Sequence, residues 1–90
     1  MPGVRNHTEL EAWKLSDALR SEVYRLTTMR AFRTAPDLAR QLTNAAESAC
    51  ANIAEGFSRY LPADFARFLR IARGSQSEIV EHLTSATRRG

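Results

Sequence analysis

Apolar side chains recur at steps of three and four residues in three successive stretches of the chain, and nowhere do they alternate as along a strand. The clearest stretch runs from Gln41 to Gly56, where Leu42, Ala45, Ala49 and Ile53 form one stripe. Its alanines allow a neighbouring helix to come close. Asn52 lies at the edge of the stripe, and a buried amide without a partner costs about 1 to 3 kcal/mol, so a bond from Asn52 to the facing helix is predicted. The pattern predicts a helix over about residues 35–55, with Gly56 just past its end in the left-handed conformation that suits glycine.

Before it, Thr8 and Glu11 have the spacing of a capping box, and a helix is predicted over about 8–28. Ala12, Leu15, Leu19, Val23 and Leu26 form its main apolar stripe. A second row, Leu10, Trp13, Asp17 and Tyr24, falls on roughly the opposite side. Two such faces imply two partners, the core and a neighbouring subunit, with stacking of unpaired bases on Trp13 or Tyr24 as an alternative. In the connection, Thr34 and Asp37 stand in capping positions around Pro36, and Phe32 is placed to plug one end of the core. Arg30 and Arg33 read as solvated loop charges or as an anion contact.

The last helix is predicted over about 62–88, opened by Pro62 and Asp64. Phe65, Phe68, Leu69, Ala72, Ile79, Leu83 and Ala86 form its stripe. Gly74 and Ser75 interrupt it, and mid-helix glycine costs about 1 kcal/mol, which points to close contact with the Ala/Asn face of the preceding helix. Ser75 or Gln76 would then reach Asn52. Arg67 and Arg70 point away from the stripe, Arg73 lies at its flank, and Ile71 departs from it. The reading is all-α: one domain over 1–90, an up-down antiparallel helix bundle.

Composition adds limits. Ninety residues give a small core, for which oligomerisation is a common supplement. No stretch approaches the roughly 20 apolar residues of a membrane span, and residues 1–7 read as a frayed leader without the core of a signal peptide, so a cytoplasmic protein without membrane contact is expected. Thirteen basic residues, all arginine except Lys14, stand against ten acids, for a net charge of +3. The positive charge gathers at Arg59, Arg67, Arg70 and Arg73, and at Arg30 and Arg33. Cys50, the single cysteine, reads as a small buried side chain. His7 and His82 lack partners at ligand spacing and read as surface residues, so no metal site is expected. Glu47, Glu55 and Glu78 could form a carboxylate cluster, but no Glu-x-x-His pair accompanies them. Neither catalysis nor a cofactor is expected.

The run NAAESACANIAEGFSR, followed by DFARFLRIARGSQSEIVEHL, closely resembles the bacterial intervening-sequence proteins associated with 23S rRNA genes. Asn52, Glu55 and Gly56, then Gly74, Ser75 and Glu78, fall in the places of that family's two hallmark strings, and ELEAWKLSDALRSEVYRLT is similar to its first helix. The resemblance implies a four-helix bundle that associates into a ring-like homo-oligomer, a pentamer in known relatives. It also implies no catalytic activity. Some members are encoded within sequences inserted into 23S rRNA genes, and a related branch engages a reverse transcriptase and nucleic acid through the basic surface of its oligomer. Relatives continue into a fourth helix where this sequence ends after three, which implies either a shortened product or a neighbouring subunit over the exposed groove. Leu61 also stands before Pro62 where relatives often carry a capping Ser or Thr.

Two functions follow as expectations. The first is an oligomeric, non-catalytic module whose basic face, Arg59, Arg67, Arg70 and Arg73 with Arg30 and Arg33, meets RNA, DNA or a nucleic-acid-processing protein. The second is a protein-interaction bundle in which Trp13, Tyr24 and Ile71 make the subunit contacts and the arginines only aid solubility.

Overall fold

A computed structural model of the chain describes residues 3–59 and 61–89. Met1 and Pro2 of the predicted leader, Tyr60 and Gly90 lie outside the described residues. Three helices, α1 (Glu11–Thr27), α2 (Pro36–Ser58) and α3 (Pro62–Arg89), make up most of the chain, with short 3-10 turns at His7–Glu9 and Arg30–Thr34. No strand occurs among the described residues.

The helix ends differ from the pattern reading in instructive ways. The capping box at Thr8 and Glu11 does not form: the Asn6 side chain accepts the Thr8 backbone N–H at 2.9 Å and holds a 3-10 turn, so α1 starts three residues later. A short polar side chain offering a local turn has outcompeted the helix start. Glu11 instead meets Lys14 at 3.4 Å. At the start of α2 neither Thr34 nor Asp37 caps; the Thr34 hydroxyl donates to Ala31 O, Asp37 pairs with Arg40, and Pro36 with its preset φ opens the helix. α2 then passes through Gly56 to Ser58, and Gly56 is not in the left-handed region.

α2 is the central helix, packed against both α1 and α3. Its end meets the start of α3 where Gly56 lies against Phe65 and Phe68, while Leu38 and Gln41 at its start share a cleft with His82 and Ser85 near the end of α3. α2 and α3 therefore run in opposite directions, and the molecule is a rod of 46 × 19 × 15 Å. The α2 stripe is buried as its pattern predicts, with Leu42, Ala45, Ala49 and Ile53 at its centre, and Phe32, Leu83 and Ala86 close against the Val23–Leu38–Leu42 end.

α1 buries the second half of its apolar stripe, with Val23 in the core, Leu19 packed against it and Leu26 half-buried, but not the first half. Ala12 is exposed and Leu15 is 70% exposed, while the row Trp13, Ser16, Arg20, Val23, Thr27 faces inward and only Ser16 and Val23 are buried. The reason is polar: Ser16 is small, lets α1 lie close, and its hydroxyl accepts from Gln76 Nε2 of α3 at 2.8 Å. On α3, Leu69 drops out of the buried stripe and Ser75 enters it. Among the described residues no buried side-chain nitrogen or oxygen lacks a partner.

Candidate nucleic-acid interface

The seam between α2 and α3 fixes where the arginines stand. At its centre Asn52 Nδ2 donates within α2, to Ser48 O at 2.8 Å and Ser48 Oγ at 3.1 Å, and Ser75 of α3 donates to that same Ser48 hydroxyl at 3.1 Å. Asn52 thus does not reach α3 directly; Ser48, one turn earlier, is the bridge. Gln76 reaches α1 rather than Asn52. The pattern reading missed Ser48 because a serine on a helix face carries no periodic signal, although its i, i+4 spacing to Asn52 was visible.

Nearer the α2–α3 turn the backbones close up. A Cβ on Gly56 would stand 2.7 Å from Phe68 Cβ, so this glycine serves close approach between helices and not the end of one. Gly74, predicted to make such a contact, is exposed with nothing within 4 Å of where its Cβ would lie. The phase of α3 explains this: burial of Phe68, Ala72, Ser75 and Ile79 turns Gly74 outward.

The seam sets a group of guanidinium groups around Phe68. Arg67 lies 4.4 Å and Arg59 5.3 Å from its ring centroid, and Glu55 pairs with Arg59 at 2.9 Å, one turn away on α2. Arg70 and Arg73 follow on α3 at three-residue steps, both exposed. Arg30 and Arg33 sit in the 3-10 turn before α2, and the opposed directions of α2 and α3 place that turn at the other end of the rod. The six arginines thus form two separate groups, one running from the α2–α3 turn along the first half of α3 and one at the far end of the rod.

The remaining candidates are dispersed. Trp13 is half-buried, edge-on to His7 at 5.4 Å between centroids and beneath the Arg20 guanidinium at 5.9 Å. His7 is thus a packing residue, and His82, also half-buried, lies 3.3 Å from Glu78; neither is the freely exposed side chain the spacing suggested. Tyr24 and Ile71 are each 42% exposed, on different helices, and the Tyr24 hydroxyl donates to Glu47 at 3.2 Å.

Arg20, which the pattern left unremarked, donates to Asp17 at 2.7 Å, and this bond raises its pKa despite partial burial. Loss of solvent, then the Glu47 contact, pushes the Tyr24 phenol up. Burial pushes the Cys50 thiol up, keeping it protonated and chemically quiet. No group of three or more His, Cys, Asp or Glu side chains among the described residues is placed to hold a metal ion, and no helix there is long and apolar enough to cross a membrane.

The family model described as 23S rRNA-intervening sequence protein matches residues 8–90, which takes in all three helices and both hallmark strings. The chain belongs to this family. No curated protein and no solved structure gives a match. For an intervening-sequence protein the geometry gives the hallmark strings a structural content: Asn52 and Ser75 meet through Ser48, Gly56 admits Phe68, and Glu55 holds Arg59 beside the same ring. The shared strings thus position the first turns of α3, where the arginines of this family member stand.

Proposed function

We propose that this intervening-sequence protein is a non-catalytic, cytoplasmic homo-oligomer that binds nucleic acid through the arginine surface at the start of α3. The observation carrying this reading is the difference between two sets of arginines. Arg20, Arg25, Arg40 and Arg59 each have a carboxylate partner, whereas Arg67, Arg70 and Arg73 have none among the described residues and stand on successive turns of one helix; Arg30 and Arg33 are likewise unpaired but are only two, in a short turn. Arg67 lies over the Phe68 ring, but none of the three is tied to a carboxylate, which leaves their N–H donors available for bidentate phosphate contact. Repetition around a ring, with a pentamer as the state the family resemblance implies, would add weak contacts by avidity. A nucleic-acid-processing protein such as a reverse transcriptase is then a partner reached through the bound nucleic acid.

Filter binding against structured RNA and duplex DNA tests this. Association at low ionic strength, reduced at least about tenfold by Arg67→Glu with Arg70→Glu and little changed by Arg30→Glu with Arg33→Glu, is the expected result. No association at low salt would sink the proposal.

A second reading, self-association without nucleic acid, is favoured by exposed apolar side chains on both outer helices: Leu15 and Tyr24 on α1, Ile71 and Val80 on α3. Light scattering separates the two. A fall in mass with Ile71→Glu, without any nucleic-acid binding by the parent protein, would leave only the structural role.

A further inference from the structure

Beside the α2–α3 turn lies a groove of about 620 Å³, on a different flank of α3 from Arg67. Half-buried Phe57 and Phe65 line it together with Leu61, which is 61% exposed, and Leu69. Exposed apolar surface gathered in a concave site marks a place where another chain is received.

The charge around the groove decides what kind of chain. Arg5 is part of its lining and no carboxylate is, Glu9 lying behind it as the acceptor of the Arg5 backbone N–H. Pro62, Ala66, Leu69 and Arg73 follow at steps of four, three and four residues, so Arg73 continues the lining row one turn further along α3. Neither the Arg5 nor the Arg73 guanidinium has a carboxylate partner among the described residues. Charge repulsion between these arginines opposes a second copy laid two-fold symmetrically into the groove, and a copy entering head to tail is the competing occupant that the mass measurement below decides. The apolar row spans two turns, about 10 Å, which matches side chains at i, i+3, i+4 and i+7 of a facing helix.

We propose that this groove seats an acidic amphipathic helix of a partner protein, its apolar face on Phe57, Phe65 and Leu69 and its carboxylates toward Arg5 and Arg73. The site shares Arg73 with the arginine surface, but its apolar floor of Phe57, Phe65 and Leu69 is its own, so loss of peptide binding on Leu69→Glu tests it apart from nucleic-acid binding.

The probe is a fluorescein-labelled helical peptide of about fifteen residues, with leucine at i, i+3, i+4 and i+7 and glutamate between, titrated with the full chain and followed by anisotropy. Saturable binding at least about tenfold tighter than that of the same peptide with lysine for glutamate is expected. Leu69→Glu should abolish it with helical circular dichroism retained, and Arg73→Glu, at an exposed position that does not threaten folding, should weaken it about fivefold or more. Val80→Gln, about three turns further along α3, should leave it unchanged. Equal affinity for the two peptides, no binding of either, or insensitivity to Arg73→Glu overturns the proposal. So does a fall in mass of the free protein on Leu69→Glu in light scattering, since a second copy would then occupy the groove.

Discussion

Gly56 of α2 and Phe68 of α3 are so close that a methyl group on the glycine would stand 2.7 Å from Phe68 Cβ. Neither atom is the free end of a flexible side chain, so the helices themselves would have to part. Gly56→Ala should destabilise the protein by about 1 to 3 kcal/mol, the cost of overpacking a close helix contact. Gly74→Ala, where nothing lies within 4 Å, should stabilise it by about 0.5 to 1 kcal/mol through helix propensity alone. Urea denaturation of the two variants checks both; a stabilised Gly56→Ala would mean that the contact is not tight.

The Gln76 amide and the Ser16 hydroxyl, 2.8 Å apart, form the polar link between α1 and α3. Ser16 is 2% exposed, so removing its donor leaves a buried hydroxyl without that bond. Gln76→Ala should cost about 1 to 3 kcal/mol, and adding Ser16→Ala should recover part of this, since removing both partners costs less than stranding one. Additive single and double variants in a mutant cycle would show that the bond contributes nothing.

Cys50 links stability to alkaline pH. Burial raises its pKa in the folded chain, so the native state holds the thiol proton more tightly than the unfolded state does. That contribution is complete below the ordinary thiol value of about 8.5 and is lost as pH rises through the higher folded value. Urea midpoints measured between pH 8 and 10 should therefore fall with pH in the parent protein and stay flatter in Cys50→Ala. A disulfide reagent should modify the native thiol only as fast as the chain opens.

For the arginine surface, the salt dependence carries the quantitative test. Removing one phosphate contact should reduce the slope of log binding constant against log salt by about 0.9 on duplex DNA. Arg67→Gln should therefore lower the slope for every copy engaged, as read from titrations at several salt concentrations. A lower affinity with an unchanged slope would assign Arg67 to packing against Phe68 instead.

The three helices were legible because each carries a three- and four-residue apolar repeat, and in α2 that repeat is itself the buried face. α1 was not legible in the same way. Val23 and Leu19 of its apolar row meet the core, but Leu15 of the same row is 70% exposed, because Ser16, bonded to Gln76, takes the inward place in the first half of the helix. The arginines were legible as a composition, but their division into two groups depends on the direction in which α3 returns along α2.

The sequence by itself determined the helical class, the approximate helix bounds, the burial of the alanine-rich seam and the family, since these reside in local periodicity and in contiguous strings. Only the tertiary structure decided what the small and polar residues of those strings do. It made Gly56 a point of contact rather than a helix end, left Gly74 in the open, and put Ser48 between Asn52 and Ser75. Glycine and serine have little side chain with which to announce a face, so their roles are fixed by the helix that packs against them.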